Sequence, residues 1–152
     1  MGETPIPAFR VAVLALSGGP TDKSIVSLAC ELARPQKAQL VGVHVVEIDW
    51  TLPLDADVAG HSEEAQRVLD VAEAVAEHAK YQLEPVLLQA RDVGAALVDE
   101  AAERGADVLL AGLPFRRRFG GDFAVGRTIP YVLKNAPCAV WVVREAMPQE
   151  PA

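Results

Sequence analysis

The sequence predicts an α/β fold, a doubly wound parallel sheet covered by helices on both faces. Three observations carry that expectation. Residues 10–17 (RVAVLALS) and 39–47 (QLVGVHVVE) are nearly continuous apolar runs, rich in valine. Runs of this kind belong to strands buried on both faces, as in parallel sheets. Between the runs lie stretches with helical spacing of apolar residues, so strands and helices alternate along the chain. Strict alternation implies right-handed crossovers and a parallel sheet. The length of 152 residues and the apolar fraction of 51% suit one domain, spanning 1–152 with a core of about 9–145.

The first strand is expected over 10–17, ended by the turn residues Ser17-Gly18-Gly19-Pro20. The first helix is expected over 21–34, with Thr21 as N-cap and Ile25, Leu28, Ala29 and Leu32 on its buried side. Residues 39–47 form the second strand, and the polar stretch 49–60 a loop. A long helix is expected over 61–83, because Ala65, Val68, Leu69, Ala72, Val75, Ala76 and Ala79 make an apolar stripe. A short strand over 84–89 follows, then a helix from 92 or 94 to 104 with Gly105 placed as its C-terminal cap. Residues 108–112 form the fourth strand, and 113–124 a loop rich in glycine and arginine. A short helix over 128–134 and a fifth strand over 139–144 complete the order, with a frayed tail.

Charge narrows the function classes. The chain carries 14 basic and 21 acidic residues, a formal net charge of −7, the opposite of a nucleic-acid-binding balance. No segment is long and apolar enough to span a bilayer, and the N-terminus does not resemble a signal peptide, so a cytoplasmic location is expected. Cys30 and Cys138 are far apart in apolar contexts and read as buried structural thiols. His44, His61 and His78 show no ligand spacing, so no metal site is expected. Asp49, Asp55 and Asp57 read as a solvated loop, and Trp50 and Trp141 as packing or interface residues.

In open parallel sheets ligands bind at the carboxyl ends of the strands, where the strand order reverses. Two glycine-bearing loops occupy such ends. Ser17-Gly18-Gly19-Pro20 follows a strand and opens a helix, either as a tight turn or as a phosphate contact. The second runs from Gly112 to Thr128 and holds Arg116, Arg117 and Arg118. Its glycines and the following helix N-terminus suit an anion such as phosphate. The same arginines could equally be solvated or pair with a partner's carboxylates. No nucleophile–base pair stands out, so no catalytic residue is assigned.

RVAVLALSGG at the first strand, the HVVE ending of the second, GADVLLAG at the fourth and NAPCAVWVVRE at the end resemble the universal stress protein family. The resemblance extends from Arg10 to Arg144. It implies a five-stranded parallel sheet in the order 3-2-1-4-5, of adenine-nucleotide α-hydrolase type, and a regulatory or ligand-sensing module rather than an enzyme. Nucleotide-binding members of that family carry Gly-x2-Gly-x9-Gly-Ser/Thr. Here Gly112 and Gly126 match the outer glycines, Phe115 replaces the middle one, and the loop is one residue longer. Arg127 stands at the Ser/Thr position with Thr128 after it, and Ser17 stands where the family has an acid. The resemblance assigns ATP or another adenine nucleotide to Ser17, Gly18, Val45, Gly112, Arg116, Gly126, Arg127 and Thr128. It further implies a homodimer through the last strand. The arginine-rich loop is similar to universal-stress-type domains attached to membrane transporters such as amino-acid permeases. That gives the alternative reading, a nucleotide-free dimerisation or interaction domain regulating a transporter.

Overall fold

The computed structural model describes residues 9–53, 55, 61–113, 126–144 and 146, the side chains of residues 61 and 62 excepted. Among these, five strands form one parallel sheet: β1 (Val11–Leu16), β2 (Gln39–Glu47), β3 (Leu83–Ala90), β4 (Val108–Leu113) and β5 (Ala139–Arg144). Their spatial order is 3-2-1-4-5, as the resemblance implies. Helices α1 (Thr21–Ala33), α2 (His61–His78), α3 (Val93–Arg104) and α4 (Thr128–Asn135) alternate with the strands. β1 runs in register with β2 from Val11↔Gln39 to Leu16↔His44, and with β4 from Ala12↔Val108 to Ala15↔Ala111.

The period of two along each strand divides the core between two faces. Ala12, Leu14 and Leu16 of β1 and Leu40 of β2 pack with Ile25, Val26 and Ala29 of α1 and Leu69, Ala72 and Ala76 of α2. Val13 of β1, Val41, Val43 and Val45 of β2, and Leu109 and Ala111 of β4 pack with Leu97 of α3 and Ile129 and Val132 of α4. The central strands therefore carry apolar residues at both parities, which is why their runs look continuous. Asp107, before β4, ties the sheet's lower edge together. Its carboxylate accepts from the N–H of Arg10 at 2.6 Å and of Val11 at 3.0 Å.

Several expectations are corrected in detail. Thr21 is not the N-cap of α1. Pro20 stands at that position and Thr21 is the first helical residue, buried against the sheet. Leu28 is exposed, and Val26, Cys30 and Ala33 fill the buried face instead, because α1 presents a neighbouring stripe to the sheet. α2 stops at His78 rather than 83. Lys80 turns left-handed at φ +59°, and the Tyr81 N–H donates back to the Ala76 carbonyl at 2.9 Å. That turn frees Leu83 to start β3, which extends to Ala90. α3 is capped as expected: Asp92 accepts from the Ala95 N–H at 3.0 Å, and Gly105 adopts φ +61°. Trp50 packs on no core: it is 79% exposed, with the Arg91 guanidinium 5.2 Å from its ring centroid. Trp141 does pack, edge-to-face on Phe9 at 5.8 Å.

Candidate functional site

β1 leads to α1 on one face of the sheet and β4 leads towards α4 on the other. The paired ends of these two strands are the point at which the winding reverses, so a crevice opens there. On the α3/α4 face it is a recess of about 200 Å³. Ala15, Leu16, Ser17, Val43, Val45, Ala111, Gly112 and Leu113 line it from the strands, and Val93, Leu97, Thr128 and Ile129 from the helices. None of these lining residues is charged. Its walls continue the α3/α4-side core, and α4 begins beside it at Thr128.

The N-terminus of α4 opens onto this recess. Arg127 precedes the helix, and its own side chain makes no cap hydrogen bond. The first N–H groups of a helix have no intrahelical partner, and Pro130 has none to offer; among the described residues nothing accepts from the N–H of Thr128 or Ile129. Gly126 reaches this start at φ +77°, with open space where a side chain would lie. Its glycine is required by backbone conformation rather than by crowding. Arg127 itself crosses to β2, where its Nη2 lies 3.2 Å from the Glu47 carboxylate. Glu47 follows Val43 and Val45 along β2 and lines the larger concavity on the other side of this strand end.

The loop after β1 is organised differently. Asp22, buried on α1, accepts from the N–H of Ser17 at 3.0 Å and of Gly18 at 2.8 Å. The Gly19 N–H donates to Ser17 Oγ at 3.1 Å. The N–H groups of this turn are thus used internally, which favours the tight-turn reading over a phosphate contact. Gly18, at φ +88°, faces Val68 of α2 rather than the recess. It lines a second concavity of about 720 Å³, mainly on the α1/α2 face, with Asp22, Lys23, His44, Glu47, Glu64 and Arg67. His44 is half-buried there, its Nδ1 2.7 Å from the Leu16 carbonyl, so it pins the end of β1 to β2.

Of the residues expected at the site, Ser17, Val45, Gly112 and Thr128 meet in the recess, and Gly126 and Arg127 lie immediately before Thr128 in the chain. Arg116, with Arg117 and Arg118, lies outside the described residues. Gly112 has a second role. A Cβ there would lie 2.7 Å from Thr21 Cβ and Ile25 Cδ1, and closer still to Thr21 Oγ1, so its lack of side chain also admits α1. Glu47 and Asp22 were not singled out from the sequence. The parity of β2 carried a signal for Glu47, two residues beyond Val45; Asp22 carried none beyond its first-turn position. Asp49 belongs to the loop after β2 and accepts from the Thr51 N–H and hydroxyl. These bonds, led by the backbone one, hold its carboxyl below the usual range. Among the described residues no group of three or more His, Cys, Asp or Glu is placed to hold a metal ion.

The sequence model of the universal stress protein family matches residues 8–144. The chain belongs to that family. Among solved structures it is similar to a universal stress family protein from Burkholderia pseudomallei, at 28% identity and a TM-score of 0.67, over 91% of this chain and 98% of that one. It is similar to the universal stress protein of Archaeoglobus fulgidus in complex with dAMP, at 20% identity and 0.70, over 90% and 98%. An Arabidopsis thaliana family protein with AMP bound matches at 13% identity and 0.62, over 90% and 92%. No curated protein sequence matches significantly. Among the described residues of this universal stress domain, no helix is long and apolar enough to cross a membrane.

Proposed function

We propose that this universal stress domain is a ligand-sensing module that binds an adenine nucleotide. The base occupies the apolar recess and the phosphate lies at the start of α4. One observation carries the reading: an uncharged recess at the switch point is lined by the first residues of α4, where no side-chain cap is made among the described residues. Apolar walls with a few polar groups at the rim suit a flat heterocycle. Free N–H groups at the positive end of a helix suit a phosphate. The Archaeoglobus and Arabidopsis family members carry dAMP and AMP, which supports the ligand class. The test is calorimetric titration of AMP and ATP into ligand-stripped protein, with mass spectrometry of the supernatant after denaturing protein as purified. Saturable binding, or an adenine nucleotide carried through purification, is the expected result. Absence of both overturns the reading.

A second reading concerns assembly. β5 is an edge strand with Val142 37% exposed, and Leu133 on the adjacent α4 is 57% exposed. An apolar edge invites pairing with a second copy. We propose a homodimer through β5, independent of whether ligand is bound.

A further inference from the structure

We infer that the seam between α1 and α2 is a second binding site, for a free carboxylate with an elongated apolar chain; this does not rest on the nucleotide reading. The larger concavity, of about 720 Å³, lies where α1 and the first half of α2 meet the strand ends. It continues into a groove of about 400 Å³ between the two helices, and Lys23 and Val71 line both. Beyond them the groove is walled by Ser27 of α1 and by Ala74, Val75, His78 and Ala79. Val71, Val75 and Ala79 recur at every fourth position and so run about 12 Å along one side of the groove. Val75 and Ala79 rest on the core below, whereas Val71 is 37% exposed and Ala74 is exposed too, so this apolar strip faces water.

The charged groups at the head of the groove are unequally committed. Asp22 accepts from the N–H of Ser17 and Gly18 and from the Ser17 hydroxyl. Glu47 is paired with Arg127. Glu64 stands in the first turn of α2, where a carboxylate is set against the positive end of the helix dipole. Lys23 and Arg67, from different helices, make no ion pair or hydrogen bond among the described residues. Two uncommitted cations therefore stand at one end of an apolar strip, on a chain of net charge −7. A carboxylate meets the cations while its chain covers Val71, Val75 and Ala79. Along the groove the polar side chains are Ser27 and His78, besides Lys23 at its head. An alkyl chain suits such walls better than a peptide, whose backbone N–H and C=O groups would lie there unpaired.

The experiment titrates butanoate, hexanoate, octanoate and the uncharged octanamide into the protein by calorimetry in low-salt buffer. Affinity should rise along the carboxylate series by about two- to four-fold per methylene, the gain of burying each one. Octanoate should bind more tightly than octanamide. The double variant Lys23→Gln with Arg67→Gln replaces two exposed side chains and should keep the parent's circular dichroism. It should weaken octanoate by about five- to twenty-fold, the range of two exposed charges, and leave octanamide unchanged. Val71→Glu should weaken octanoate and flatten the dependence on chain length. Absence of octanoate binding to the parent overturns the inference, and so does octanamide binding as tightly as octanoate. Octanoate affinity unchanged in the double variant overturns it as well, since the carboxylate would then lie elsewhere. None of these outcomes touches the nucleotide reading, which is tested separately by AMP and ATP.

Discussion

Gly112 shows how one residue can answer to packing and to a ligand site at once. It borders the recess, yet the space a Cβ would take there is already filled by Thr21 and Ile25. Gly112→Ala should therefore destabilise the fold by about 1–3 kcal/mol, the usual cost of overpacking a tight core. Urea unfolding would read this, and an unchanged midpoint would show that α1 moves away without cost. Asp107 offers a test by pH. Hydrogen bonds from the Arg10 and Val11 N–H groups hold its carboxyl below the usual range, against a smaller opposing effect of burial. A depressed folded-state value means the stabilisation is present above the unfolded carboxyl pKa and is lost as pH falls through the folded one. Asp107→Asn should lower stability at neutral pH by about 1 kcal/mol, and the difference from the parent should shrink in acid. Burial raises the thiol pKa of Cys30, which disfavours its reactive thiolate.

At the scale of elements, α4 is the piece on which the proposed chemistry depends. It has eight residues, and its start is set by Gly126 in the left-handed region and Arg127 as an unassisted cap. Gly126→Val places a branched residue where L side chains are strained, at about 1–2 kcal/mol. The expected outcome is a folded protein by circular dichroism that no longer binds AMP by calorimetry, because the N–H groups of Thr128 and Ile129 are re-aimed. Retained affinity would move the phosphate away from α4. α1 behaves in the opposite way. Its N-terminal turn is closed by Asp22, so the two helix starts at the same end of the sheet are chemically unequal. The sequence anticipates both α1 and α4. It could not anticipate which start stays open, because that depends on where a buried carboxylate points.

For the whole molecule, the proposed dimer is the property with the clearest consequence. The strand order leaves β3 and β5 as the two edges. β5 reads Ala-Val-Trp-Val-Val-Arg with three of its residues exposed, a poor composition for an edge facing water. Sedimentation should show a dimer at micromolar concentration for the parent and a monomer for Val142→Lys. A parent that remains monomeric would end this reading without touching the nucleotide site, which lies at the β1–β4 junction.

The local pattern by itself determined the alternation of strands and helices, and with it the parallel sheet and the crevice at its carboxyl edge. Continuous apolar runs at β1, β2 and β4 could only be buried on both faces, and Asp92 and Gly105 bounded α3 through short-range backbone chemistry. The apolar stripe continues to Ala79, one residue beyond the end of α2, and carries no sign of the left-handed turn at Lys80 that ends the helix. Only the tertiary structure decided that Glu47 meets Arg127, residues 80 positions apart. It also decided that Gly112 must admit Thr21, that Trp50 stands out from the core, and that Gly18 turns towards α2 rather than the recess. The physical reason is common to all of these. Periodicity reports which face of an element is buried, whereas the partners on that face are chosen by the order in which the strands assemble.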